Sequence, residues 1–165
     1  MLTVNAASGF GSGGGRVPGS GPEHNHAAAS SGGSIGTNSG WSGTVGSSDL
    51  TILIDGSYPI SPQGSGCGPS SGGACACEFD LDGEQYVDEI KIFTQTTDGG
   101  RMSNITCQTW NGSSFDTEGT PAPGSAVWCI ATCTTNTKTT KIKISYSQSG
   151  GWSSISEVQA VGPEY

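Results

Sequence analysis

Three groups of residues in this chain carry side chains suited to chemistry. The first is Glu23-His24-Asn25-His26, which holds both histidines of the 165 residues. Two imidazoles beside a carboxylate are metal-ligand chemistry, because histidine is a common ligand. A site also needs a third ligand fixed nearby. None adjoins them in sequence, so the stretch reads as a solvated loop. The second group is Asp80, Asp82, Glu84, Asp88 and Glu89. A glycosidase sets two carboxyls apart across a cleft. These crowd one strand pair and its link, and read as turn and surface carboxylates. No G-x-S-x-G elbow is present, and Gly64-Ser65-Gly66 lacks its frame. With both histidines in the Gly-rich N-terminal part, no Ser-His-Asp triad is expected. The chain therefore reads as non-enzymatic.

The third group is the six cysteines, Cys67, Cys75, Cys77, Cys107, Cys129 and Cys133. An even count in a β-rich, Lys-poor chain predicts disulfides and an oxidising compartment. The rival is a metal cluster, but Cys75-Ala76-Cys77 and the Cys129, Cys133 pair do not give the C-x-x-C knuckles of zinc sites. Cys75 and Cys77 share a strand face and should not bond each other. Cys67 to Cys75 would close the Gly-Ser loop between them. Two glycosylation sequons, at Asn104 and Asn111, flank one strand.

Composition narrows the class. Only 32% of residues are hydrophobic and 12% charged, with 28 glycines and a net charge of -8. Ser, Thr, Asn and Gly supply the polarity, the habit of secreted all-β proteins. The negative charge disfavours nucleic acid as a partner. No apolar run approaches the ~20 residues of a membrane span. Met1-Leu2-Thr3-Val4 runs into polar and Gly residues rather than a leader, so a secreted protein of this sequence implies a processed or trimmed chain.

The elements that must position these groups alternate with period 2, the mark of half-buried strands. Cys77, Phe79 and Leu81 point one way, and Glu78, Asp80 and Asp82 the other. Asp82-Gly83 supplies turn chemistry, and Ile90 and Ile92 open the next strand. Leu50, Ile52 and Ile54 alternate into a strand that stops at Asp55-Gly56. Ile105 to Trp110, Ala126 to Thr132, Lys141 to Tyr146 and Ile155 to Val161 follow, with a loop from Phe115 to Gly124. No segment shows a helical period. About eight short strands predict an antiparallel β-sandwich or jelly roll. Residues 1–21 form a Gly-rich N-terminal arm with a short strand at Leu2 and Val4, and residues 22–165 form the domain.

Four segments carry a resemblance, in order over roughly residues 47–163. They are "LTILIDGSYPISP", "FDLDGEQYVDEIKIFT", "ITCQTWNGSSF" and "KTTKIKISYSQSGGWSSISEVQAVGP". Together they resemble discoidin domains, also called coagulation-factor type C domains, of the galactose-binding-like superfamily. The resemblance implies a discoidin-like sandwich, with Cys107 and Cys129 or Cys133 on neighbouring strands. It implies a structural calcium ion clamping the early Asp-Gly loop to the last strand, with Asp55, Ser57 and Glu157 as ligands. Hard oxygen ligands suit Ca²⁺. Trp110 and Trp152 resemble structural tryptophans of the fold, and Trp128 lies within a strand, which leaves Trp41 and Tyr58 as the loop aromatics for glycan contact. The His and Arg set of fucose-binding members is not recognisable around Arg16 and Arg101.

Two functions follow as expectations. One is a secreted structural subunit. Leu2 and Val4 would add a strand to the edge of a neighbouring copy, head-to-tail, giving a filament or surface coat. The other is a carbohydrate-binding, lectin-like adhesion module.

Overall fold

Two strands set the register of everything else. In a computed structural model that describes residues 22–43, 50–57, 67–68, 73–94, 102–124, 127–135, 137–149 and 155–164, strand β5 (Gly73–Gln85) runs antiparallel to β10 (Thr139–Gln148). Cys77 sits opposite Ile144 and Phe79 opposite Ile142. All four side chains are fully buried, as alternation requires of a sheet with one dry face. β2 (Ser34–Ser39) lies on the far side of β5. β7 (Met102–Trp110) and β8 (Phe115–Gly119) continue beyond β10, giving a five-stranded sheet ordered β2-β5-β10-β7-β8.

The second layer is a six-stranded sheet built on β11 (Ile155–Pro163). One edge of β11 pairs with β6 (Glu89–Thr94), which pairs with β9 (Trp128–Thr132). The other edge is shared. β1 (Glu23–Asn25) takes its C-terminal end, and the bridge pair β3 (Ser42–Gly43) and β4 (Cys67–Gly68) its start. The inner faces meet in one core that includes Phe79, Ile90, Ile92, Ile105, Ile142, Ile144, Tyr146 and Val158. The predicted all-β antiparallel sandwich is thus observed, with Phe79, Leu81, Ile90, Ile92, Ile142 and Ile144 buried as expected. No helix among the described residues is long and apolar enough to cross a membrane.

Three local expectations are corrected. Leu50–Ile54 is a 3₁₀ turn, not a strand. It buries the adjacent Leu53 and Ile54, which strand alternation would send to opposite faces. Asp82-Gly83 is not a turn, because β5 runs through it. Gly83, at φ 145°, coincides with a register slip against β10 between Thr139 and Lys141, a bulge rather than a reversal. Phe115–Gly119 is strand, where a loop was expected. It is held by Glu118, which accepts hydrogen bonds from the Thr109 hydroxyl and the Thr134 and Thr135 amides.

No disulfide links Cys75, Cys77, Cys107, Cys129 and Cys133 to one another among the described residues, and the pairing expected of the six cysteines is not shown. The side chain of Cys67 lies outside the described residues. Cys75, Cys77, Cys107 and Cys129 are buried as small apolar side chains. Burial pushes the Cys75 thiol up to about 11 and the Cys107 thiol to about 12. Cys133 rises too, from burial first and then from the charges of Glu118, Cys107, Asp88 and Glu89. Thiols held protonated are poor nucleophiles. Alkylation without reductant should therefore label Cys75, Cys107 and Cys133 slowly in the native protein and fully after denaturation. Cysteines that stay unlabelled after denaturation would show disulfides instead.

Candidate functional site

Three places on the sandwich gather side chains that can act. The first joins Asp55 to Glu157, the pair the resemblance implied. Asp55 follows the 3₁₀ turn, exposed, and its Oδ1 accepts the Ser57 amide at 2.7 Å, a tight turn that presents the carboxylate. Glu157 sits in β11 beside a register slip between Ile155 and Glu157 and is wholly buried. Neither of its carboxylate oxygens has a hydrogen-bond partner in good geometry among the described residues. Burial, and secondarily the charge of Asp55, pushes its carboxyl up to about 8. The Gln159 side chain and Gly56 amide approach and lower it only in part. A buried carboxylate facing another carboxylate is costly unless a cation or a proton sits between them. Oxygen donors of this kind suit a hard cation such as Ca²⁺.

The second place is the outer face of the five-stranded sheet. Trp110 and Phe115 stand opposite each other on β7 and β8, with ring centroids 5.0 Å apart. Both are half-buried. Lys141 Nζ lies 5.8 Å from the Trp110 ring centre, and Lys143 Nζ 5.0 Å from that of Phe115. Lys141 also pairs with Asp80 at 3.7 Å. The Thr139 hydroxyl accepts the Trp110 amide at 3.0 Å and donates to the Lys141 carbonyl at 2.8 Å. The bulge in β10 is thereby tied to the end of β7, which fixes where the indole stands. This face combines flat apolar surface with ammonium donors and carboxylate acceptors.

The third place lies where β1 meets β5. His24 and His26 converge on Asp82 there.

The tryptophans invert expectation. Trp41, a candidate glycan contact, is 4% exposed and packs edge-on against Phe79 and Tyr146. A ring inside the core cannot meet a sugar, so that assignment is withdrawn. Trp110, expected in the core, faces outward. Trp128 is half-buried and packs edge-on against Phe93. Tyr58, Trp152, Leu2 and Val4 lie outside the described residues. Both sequon asparagines are exposed. Asn104 adopts φ 55°, and the Asn111 amide already donates to Ser114 and Asp116 at 3.0 Å. Asp80, Asp82, Asp88 and Glu89 are half-buried and Glu84 exposed; Asp82, read as a turn or surface carboxylate, instead lies against His24 and His26.

No family model and no curated protein matches the sequence. Solved structures match the fold. Allantoicase from Saccharomyces cerevisiae superposes at a TM-score of 0.63 and 16% identity, over 90% of this chain and 45% of that one. The chain thus spans under half the length of that protein. The family 32 carbohydrate-binding module of Clostridium perfringens NanJ, solved with galactose, superposes at 0.62 and 16% identity, over 85% of this chain and 99% of the module. Chitosan-binding module 1 from the chitosanase/glucanase of Paenibacillus sp. IK-5 gives 0.57 and 19% identity, over 82% and 97%. The chain has the discoidin-like, galactose-binding-like β-sandwich fold.

The buried Glu157 sets a pH dependence. Its folded value near 8 lies above the ordinary carboxylate value of 4.5. Between the two, the folded state holds a proton that the unfolded state releases. That contribution is complete below the unfolded value and is lost as pH rises through the folded one, at up to about 1.4 kcal/mol per pH unit. Without divalent ions, the melting temperature should fall from pH 5 to pH 8, and Glu157→Gln should flatten the slope. Parallel slopes in both proteins would put the cost elsewhere.

Proposed function

We propose that this chain is a non-enzymatic, secreted carbohydrate-binding module. Trp110 and Phe115 form its sugar platform, and Ca²⁺ at Asp55 and Glu157, with Ser57, serves as a structural clamp. The observation that carries the proposal is the outward Trp110–Phe115 pair among Lys141, Lys143 and Asp80, on the fold of a module solved with galactose. Hexopyranose rings have apolar faces that stack on aromatics, and their hydroxyls need donors and acceptors close by. Exposed cation–π contacts of about 0.5–1 kcal/mol are weak enough to yield to a stacked sugar. With its net charge of -8, the chain favours neutral or cationic glycans over sulfated or uronic ones.

The clamp reading rests on the orphaned Glu157 carboxylate. In the melts described above, excess Ca²⁺ at pH 8 should raise the melting temperature of the native protein, by binding the folded state alone, and leave Glu157→Gln unmoved. Head-to-tail assembly into a filament or coat has no support among the described residues, since its donor strand at Leu2 and Val4 lies outside them. Glycans on Asn104 or Asn111 remain part of the secreted reading.

A glycan array tests the platform. The native chain should bind neutral hexose-terminated glycans, including galactosides or glucosamine oligomers, and Trp110→Ala should lose about tenfold or more in affinity, as expected when an aromatic anchor is removed. Trp110 and Phe115 stand at the outer face, half-buried, so both alanine variants should fold. Binding unchanged in both variants, or none at all, would sink the platform.

A further inference from the structure

We propose that His24, His26 and Asp82 form a binding site for a borderline divalent transition-metal ion, zinc being the type case, with one coordination position left open. His24 Nε2 stands 3.4 Å from Asp82 Oδ2, and His26 Nδ1 stands 3.1 Å from Oδ1 and 3.3 Å from Oδ2. One ligand atom from each of the three residues lies within 4.8 Å of the others. Donor atoms around a tetrahedral Zn²⁺ at ~2.0–2.1 Å stand ~3.3 Å from one another. The spacings to Asp82 are already those of a tetrahedron's edges.

The backbone holds the three residues in place without a metal. His24 lies in β1 and His26 in the turn that follows it. Their ring centroids are 4.8 Å apart. The His26 amide donates to the Ala160 carbonyl on β11 at 2.9 Å, and its carbonyl accepts the Asp82 amide at 3.1 Å. One residue thus bridges both sheets. Asn25 Oδ1 accepts the amides of Ala27 and Ala160, pinning the turn between the histidines and β2. The His26 side chain is 2% exposed, and its Nε2 has no hydrogen-bond partner among the described residues. The ring's polar anchoring therefore comes wholly from the Nδ1 side, where Asp82 and His24 lie. Gly162 leaves the room this needs, because a Cβ there would collide with the Tyr86 carbonyl and touch the His26 ring.

The donor set selects the metal. Two imidazoles and one carboxylate suit zinc and its borderline neighbours rather than Ca²⁺ or Mg²⁺, which take oxygen. Three protein ligands leave a fourth place, and His24, with 29% of its side chain exposed, forms the wall nearest solvent. Water, or a hydroxyl or carboxylate of a bound ligand, would fill it. The ion would clasp β1 to β5, across the two sheets, at the opposite end of β11 from Glu157.

Zinc and cobalt titrations of the full chain, stripped of metal with a chelator, test this. One equivalent of Zn²⁺ should bind and raise the melting temperature. His24→Ala and Asp82→Asn should each weaken binding by more than about tenfold, a loss that even an outer-shell partner can cause. His24→Ala alters a partly exposed ring, and circular dichroism should show it folded. If Asp82→Asn unfolds, the His24 variant decides alone. Co²⁺ should give visible ligand-field bands without the sulfur charge-transfer band of a cysteine site. Unchanged affinity in His24→Ala, a thiolate band, or no Zn²⁺ binding would overturn the site and leave a hydrogen-bonded His–Asp clasp.

Discussion

The structure depends on a strand that is dry on both faces. Between Ile155 and Pro163 every residue of β11 is buried except the half-buried Gln159. β6 occupies one edge of β11, and β1 and β4 divide the other. A strand inside an antiparallel sandwich usually has one wet face, so burying both requires extra cover. The 3₁₀ turn at Leu50–Ile54 packs against β11 to provide part of it. The cover has an electrostatic cost, because Glu157 lies beneath it. A chain that encloses a carboxylate beside Asp55, with only the Gln159 side chain and the Gly56 amide approaching it, has an internal demand for a proton or a cation. The same strand also anchors the histidine site, since the His26 amide hangs on the Ala160 carbonyl.

Much of this was legible in the sequence where alternation is strict. Cys77, Phe79 and Leu81, and Ile142, Ile144 and Tyr146, were read on the correct face because period 2 admits no other arrangement. The same rule reveals Trp110. Ile105, Cys107 and Thr109 all point inward, so the next residue must point out, whatever its size. The misreadings occur where a local pattern gives way to tertiary packing. Leu50, Ile52 and Ile54 look like a strand until Leu53 is seen buried beside Ile54. Asp82-Gly83 has turn chemistry, yet it serves as a bulge because β10 continues past it. The third partner of the two histidines was hidden by distance alone, since Asp82 lies 56 residues beyond His26. The pairing of Asp55 with Glu157 was open only to the resemblance, because no local pattern links residues so far apart.

The functional reading follows from which aromatic rings the fold leaves outside. The core takes Trp41 and packs it against Phe79 and Tyr146. The five-stranded sheet turns Trp110 and Phe115 outward and sets lysines over both. Core rings stabilise by area, whereas a surface ring covered only by a lysine can exchange that weak contact for a ligand.

The most direct measurement is a nitrogen–proton correlation spectrum that follows the indole signals of the four tryptophans as a neutral oligosaccharide is added. The account predicts that the Trp110 indole shifts with saturation while the buried Trp41 indole stays in place. A spectrum in which Trp110 never moves, or in which Trp41 moves instead, would contradict it.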